Sequence, residues 1–154
     1  MLYLQLQLSY NLRMESPCTA MIARRFARRV TAIYDDALGP HGLTVGQFGI
    51  LANVRRSVSV GVAALAERVS SDASTLSRLL KPLAAAGLLT IEPDLGDRRA
   101  RAIRLTDAGH ERVRAARPAW AAAQAAVADR LGAARHAAVR ATLDDAYSRL
   151  ETAV

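Results

Sequence analysis

The fold is decided by LAERVSSDASTLSRLLKPLAAAGLLTIEPDLGDRRARAIRLTDAG, Leu65–Gly109. Leu65, Ala66 and Val69 recur as the buried face of a short helix expected over roughly 60–69. Ser70-Ser71-Asp72 is a polar turn that offers two side chains, Ser71 and Asp72, as caps for a following helix. That helix is expected from Ala73 to Ala86, where Gly87 ends it. Leu76, Leu79, Leu80 and Leu83 would face a core, and Ser74, Thr75, Ser77, Arg78 and Lys81 would remain outside. Leu88–Glu92 then reads as a strand, Pro93–Asp97 as a turn, and Ala102–Leu105 as the returning strand. Two short helices at a tight turn, followed by a hairpin, make a helix-turn-helix with a wing. The wing and its return strand carry Arg98, Arg99, Arg101 and Arg104.

On the N-terminal side, Ser16-Pro17 reads as a cap followed by proline at the first helical position. Ile22, Phe26, Val30 and Ile33 keep a helical period until Gly39-Pro40, with Arg24, Arg25, Arg28 and Arg29 forming a basic flank. Thr44 and Gln47 form a capping-box pattern that opens a second helix to about Arg56, with Phe48, Leu51 and Val54 inward. On the C-terminal side, Thr106-Asp107 starts a helix expected to reach Leu131. At 1.5 Å per residue it is about 37 Å long, more than a small lobe covers by itself. Pro118 lies inside it and should kink it. A last helix follows over roughly 133–150.

The expected fold is therefore mainly α with a small β-wing. The chain reads as an N-terminal extension (1–15), an N-terminal dimerisation helix (16–42), a winged helix-turn-helix lobe (43–105) and C-terminal dimerisation helices (106–154). The alternating stretch Leu2–Leu8 in the extension reads as either a short strand or a segment upstream of a second start at Met14.

Composition narrows the function. The chain has 154 residues, of which 51% are apolar and 23% charged, which fits a packed globular chain and argues against disorder. Its net charge is +7, and all its basic residues except Lys81 are arginines. A surplus of this size favours a polyanionic partner. The lone Cys18 permits no internal disulfide, which fits a reducing cytoplasm. No apolar run is long enough to span a bilayer. His41, His110 and His136 lie far apart, without metal-ligand spacing. No phosphate-binding glycine loop or nucleophile elbow is present, and Asp35-Asp36 and Asp144-Asp145 read as solvated helical pairs. No enzyme, metal or cofactor is expected.

An α-helix fits the major groove of duplex DNA, where residues near its leading end meet base edges. Ser74, Thr75, Ser77 and Arg78 occupy that end, with Lys81 further on. An arginine at a hairpin tip can enter the minor groove. Asp97, two residues before Arg99, can hold that guanidinium through a charge-assisted fork. The alternative is a winged helix that works through protein contacts without reading DNA.

The pattern resembles the MarR family. The matching residues are Leu43-Thr44, Gln47-Phe48, Leu65-Ala66-Glu67, Ser74-Thr75-Leu76-Ser77-Arg78, Leu83, Gly87-Leu88, Asp97-Arg98-Arg99 and Leu105-Thr106-Asp107-Ala108-Gly109. The resemblance implies a homodimer built from the first and last helices on a pseudo-palindromic operator. It implies a repressor relieved by a small molecule or by oxidation. It places Ser74, Thr75, Ser77 and Arg78 in the major groove and Arg99 in the minor groove, supported by Asp97. It also implies an effector pocket, with His41 and Trp120 as candidate lining residues. Pro82, Pro118 and Trp120 with Gln124 resemble one branch of the family.

Cys18 and Tyr34 form a candidate redox sensor. With Ser16 as cap, the thiol falls in the first helical turn, where the helix field favours thiolate. Peroxide-sensing members of the family carry a cysteine at the start of this helix, and Tyr34 matches a tyrosine that bonds its oxidised form. In this chain Ala20 stands at the family's cysteine position, and Phe48 replaces a second tyrosine.

Overall fold

The computed structural model describes residues 18–54, 59–69, 71–93 and 101–151. Its elements are α1 (Thr19–Leu38), α2 (Val45–Asn53), β1 (Val60–Gly61), α3 (Val62–Arg68), α4 (Ala73–Ala85), β2 (Leu89–Pro93), β3 (Arg101–Leu105), α5 (Asp107–Leu131) and α6 (Ala133–Glu151). The chain divides into two compact units, Met1–Ala32 and Ile33–Val154.

In the first unit, the Cys18 carbonyl accepts the amides of Met21 at 2.9 Å and Ile22 at 3.1 Å. Cys18 therefore stands at the cap position, one step before the helical turn in which the sequence reading placed its thiol. Ser16 and Pro17 lie outside the described residues. Arg24, Arg25, Arg28 and Arg29 are exposed, and so are Met21 and Ile22.

In the second unit, α1 ends on the buried Leu38, and Gly39–His41 makes a 3-10 turn. The Thr44 hydroxyl accepts the Gln47 amide, and the Gln47 side chain accepts the Thr44 amide at 2.9 Å, completing the expected capping box. Asp35, read from sequence as part of a solvated pair, also accepts the Val45 amide at 2.7 Å. A carboxylate at a helix N-terminus meets both an orphan amide and the positive end of the dipole.

The expected helix over 60–69 begins as a strand. Val60 pairs with Ile103 and Gly61 with Ala102, and α3 starts only at Val62. The sheet is antiparallel with order β1-β3-β2, so β3 is its centre. This explains why Ala102 and Ile103 are both buried although they point to opposite faces. In the hairpin, Leu89 pairs with Leu105, Ile91 with Ile103 and Pro93 with Arg101.

The core gathers Leu38 and Leu51 with Leu65, Leu76, Leu80, Leu83 and Ile103. Leu79, expected among them, is 38% exposed. Leu76, Leu80 and Leu83 already fill one stripe of α4, and Leu79 falls on its flank. At the end of α4, Leu88 donates to the Leu83 carbonyl at 3.0 Å and Gly87 to that of Ala84 at 2.9 Å, with Gly87 at φ +69°. This is the crossed pair of bonds by which a left-handed glycine closes a helix.

The same turn anchors α5. The Thr106 hydroxyl accepts the Gly109 amide at 3.0 Å and donates to the Gly87 carbonyl at 2.7 Å. Val113 and Ala116 of α5 belong to the lobe's core, while Ala123 and Val127 are buried further along. In α6 no residue is buried, and Leu143, Tyr147 (54%) and Leu150 (75%) are exposed.

Candidate nucleic-acid interface

The expected reading face is built on α4. Asp72 caps the helix, with Oδ1 accepting the Thr75 amide at 2.8 Å and the Ser74 hydroxyl at 2.5 Å. Of the two caps left open by the sequence, Asp72 is therefore the one used. The Ser74 hydrogen bond, followed by those from Thr75, holds the Asp72 carboxyl well below the usual carboxylate range. Its charge sits at the positive end of α4.

Ser74, Ser77, Arg78 and Lys81 are all exposed, at helical positions i, i+3, i+4 and i+7. They form one continuous stripe opposite Leu76, Leu80 and Leu83, and Thr75 is half-buried on its flank. Two of the hydroxyls are already engaged. Ser74 donates to Asp72, and Ser77 donates to the Ala73 carbonyl at 2.7 Å. What they still offer outward is acceptor capacity and small size. The strong donors on the stripe are Arg78 and Lys81, which have no ion-pair partner among the described residues. Pro82 lacks the amide that would meet the Arg78 carbonyl, so the last turn of α4 is loosened behind the stripe.

Arg101 and Arg104 are exposed on β3, opposite Pro93 and Thr90. Asp97, Arg98 and Arg99 lie outside the described residues.

The candidate sensor residues stand in different settings. Cys18 is exposed. Tyr34 donates its hydroxyl to Gln124 Oε1, and burial raises its pKa against the opposing effect of Arg140. This bond between α1 and α5 was not foreseen, although Gln124 had been singled out. Trp120, half-buried, stacks on Phe48 with ring centroids 5.9 Å apart and 19° between planes. His41 contributes its backbone carbonyl, which accepts Arg112 Nη1 at 2.9 Å. Trp120 and His41 thus act as packing and anchoring groups. Among the described residues no cluster has the makings of a metal site, and no helix is long and apolar enough to cross a membrane.

No curated protein matches the sequence. A family profile described as MarR family matches residues 41–100. The fold is similar to the transcriptional regulator MosR of M. tuberculosis crystallised with DNA, at TM-score 0.78 and 32% identity, covering 88% of this chain and 97% of that one. A second crystal structure of M. tuberculosis MosR gives 0.76 and 29%, covering 89% and 98%. A mutant of MarR from E. coli, complexed with operator DNA, gives 0.73 and 20%, covering 82% and 91%, a likeness of fold. The agreement with MosR extends over nearly the whole of both chains and joins the profile match across the helix-turn-helix and wing: the chain belongs to the MarR family.

Proposed function

We propose that the protein is a dimeric DNA-binding transcriptional regulator, acting as a repressor that a small ligand or an oxidant releases, and that it is not an enzyme. The observation that carries this reading is the exposed stripe Ser74, Ser77, Arg78 and Lys81 on a helix whose opposite face is core. Such a helix presents a polar, cationic surface on a rigid base, which is what major-groove reading requires. Its Asp72-capped N-terminus keeps the leading end in order, and the Arg98-Arg99 sequence links the two strands that follow it. The uncovered apolar residues of α1 and α6 support association of two copies.

Asp97, Arg98, Arg99 and Arg101 are assigned to the wing's DNA contacts. In this reading Cys18 is the residue through which an oxidant would act.

The test is binding to a pool of genomic duplex fragments, followed by titration of the retained fragments at several salt concentrations. The expected result is a linear fall of log affinity with log salt, with a slope of about −0.9 per neutralised phosphate. The footprint should show two half-sites about one helical turn apart. Arg99→Ala should weaken binding by about 1–3 kcal/mol and leave the dimer intact. Weak, salt-insensitive retention would overturn the reading in favour of a protein partner.

A further inference from the structure

The direction of the hydrogen bonds at the leading end of α4 restricts which bases that helix can read. A hydroxyl has one hydrogen to donate and two lone pairs that accept. Ser74 gives its hydrogen to Asp72 Oδ1 at 2.5 Å, and Ser77 gives its own to the Ala73 carbonyl at 2.7 Å. The Thr75 hydroxyl also turns to the Asp72 carboxyl. Both serines are exposed, and among the described residues neither hydroxyl oxygen accepts a bond. Outward, therefore, they act as acceptors.

Two features keep the hydrogens inward. The Asp72 carboxyl is held well below the usual carboxylate range, so it stays ionised and its bond from Ser74 is charge-assisted, roughly twice as strong as a neutral one. The Ala73 carbonyl lies one turn before Ser77, where the helix itself fixes the geometry. The ionised carboxylate also occupies the helix end that would otherwise draw a phosphate. Phosphates offer only acceptors, so an acceptor surface gains nothing from them. Its partners in the major groove are the base amino groups, adenine N6 and cytosine N4, whereas guanine and thymine present carbonyl oxygens there. Each base pair carries its amino group on one strand and its carbonyl on the other.

We infer that Ser74 and Ser77 select an amino base, adenine or cytosine, over guanine or thymine at two neighbouring positions on the strand they face in each half-site. Adenine and cytosine are accepted alike, because a single acceptor reads only the amino group. At 1.5 Å per residue the two serines stand about 4.5 Å apart along α4, little more than one base step of about 3.4 Å. Arg78, next on the stripe, does the opposite work and donates to guanine. The inference gives a base code to the DNA-reading proposal and rests on it.

Selection of bound duplexes from a randomised library, by the full chain and by Ser74→Ala and Ser77→Ala, tests the code. The parent should enrich adenine and cytosine together at two adjacent positions, with a guanine or thymine at either one costing about fivefold or more. Each alanine variant should flatten one of the two positions and leave the other. Alanine favours an exposed helix, so circular dichroism should show an unchanged fold. N6-methyladenine or N4-methylcytosine, placed at the selected position, keeps its pairing but puts a methyl group where the groove-facing N–H stood. It should weaken the parent by a similar factor and leave the matching alanine variant unaffected. Guanine or thymine at the serine-dependent positions, or identical selected sequences for all three proteins, overturns the inference while DNA reading stands. Retention of no duplex by the parent overturns both.

Discussion

Gly109→Ala puts the joint between α5 and the lobe to a test in which two physical effects predict opposite signs. Gly109 lies in the first turn of α5, where alanine is favoured over glycine by at most about 1 kcal/mol on helix propensity. A Cβ built there would stand 1.9 Å from the Leu88 carbonyl oxygen, 2.8 Å from the Leu88 carbonyl carbon and 2.9 Å from Leu105 Cδ1. The first two are backbone atoms in the turn that closes α4, and cannot swing aside as a side-chain end can. To reach ordinary contact, α5 must withdraw by more than an ångström, loosening the Thr106 amide from the Leu88 carbonyl, now at 3.2 Å. Overpacking of this kind costs about 1–3 kcal/mol. A weakened hydrogen bond adds about 0.5–1.5 kcal/mol. Set against the propensity gain, these terms leave a net loss of about 0.5–4.5 kcal/mol, centred near 2–3 kcal/mol. For a chain of this size that lowers the melting midpoint by about 4–12 °C. Gly49→Ala is the matched control: Gly49 lies inside α2 and its Cβ would meet nothing within 4 Å. It should gain up to about 1 kcal/mol. Urea unfolding of both variants at one fixed protein concentration, necessary for a dimer, decides the matter. If Gly109→Ala is as stable as the parent or more so, the close approach of α5 to the α4–β2 turn is not a constraint, and the joint described here is wrong.

Two further outcomes concern α4. Because the folded-state pKa of Asp72 is depressed, the stability it contributes is fully present above the ordinary value of 3.8 and is lost as pH falls below it. Asp72→Asn, which keeps the acceptor, should hold α4 at neutral pH but flatten this acid dependence, whereas Asp72→Ala should weaken unfolding resistance at neutral pH as well. Parallel urea midpoints at pH 7 and pH 3 show the difference, and identical profiles for all three proteins would remove the cap from the argument. Arg78→Ala should cost about 1–3 kcal/mol of DNA affinity and relax preference at one base position, while Lys81→Ala should weaken all sequences alike and reduce the salt slope by about 1. A base-specific loss from Lys81→Ala, with a uniform one from Arg78→Ala, would reverse the roles assigned to them.

Much of this architecture could be read from the sequence because its signals are local. Thr44 with Gln47, Gly87 and Thr106 each cap a helix through bonds to residues within about a turn, so spacing alone reveals those caps. The parts that escaped depend on partners distant in sequence. Val60–Gly61 is too short to show a period, and it becomes a strand only because β3 has an open edge beside it. Asp35 looked like one of two solvated acids because its acceptor role depends on Val45 arriving above it after the 3-10 turn. The leucine pattern in α4 admitted Leu79 to the core, but three leucines already fill the stripe. At the candidate interface, sequence identified the outward residues of α4 and their side of the helix. It did not reveal that Ser74 and Ser77 donate inward, which leaves the strong outward donors to Arg78 and Lys81.

The stretch of α5 from Gly109 to Arg117 is where these observations meet. Its start is clamped to the turn behind α4 through Thr106 and Gly109, and its middle enters the lobe's core through Val113 and Ala116. Pro118 follows at once, removing a helical hydrogen bond at the point where the helix leaves the lobe's core. A helix weakened there bends more readily than one continuously bonded. In the proposed dimer joined through its terminal helices, a small bend at Pro118 would alter the separation of the two α4 faces, since each is carried by the clamp upstream. A releasing ligand can shift the balance between DNA-spaced and DNA-incompatible arrangements only by the difference between its affinities for them. The variant that tests the hinge is Pro118→Ala, which restores the missing amide. It should stiffen α5 and change the affinity for operator DNA measured by gel shift, and an unchanged affinity would place the hinge elsewhere.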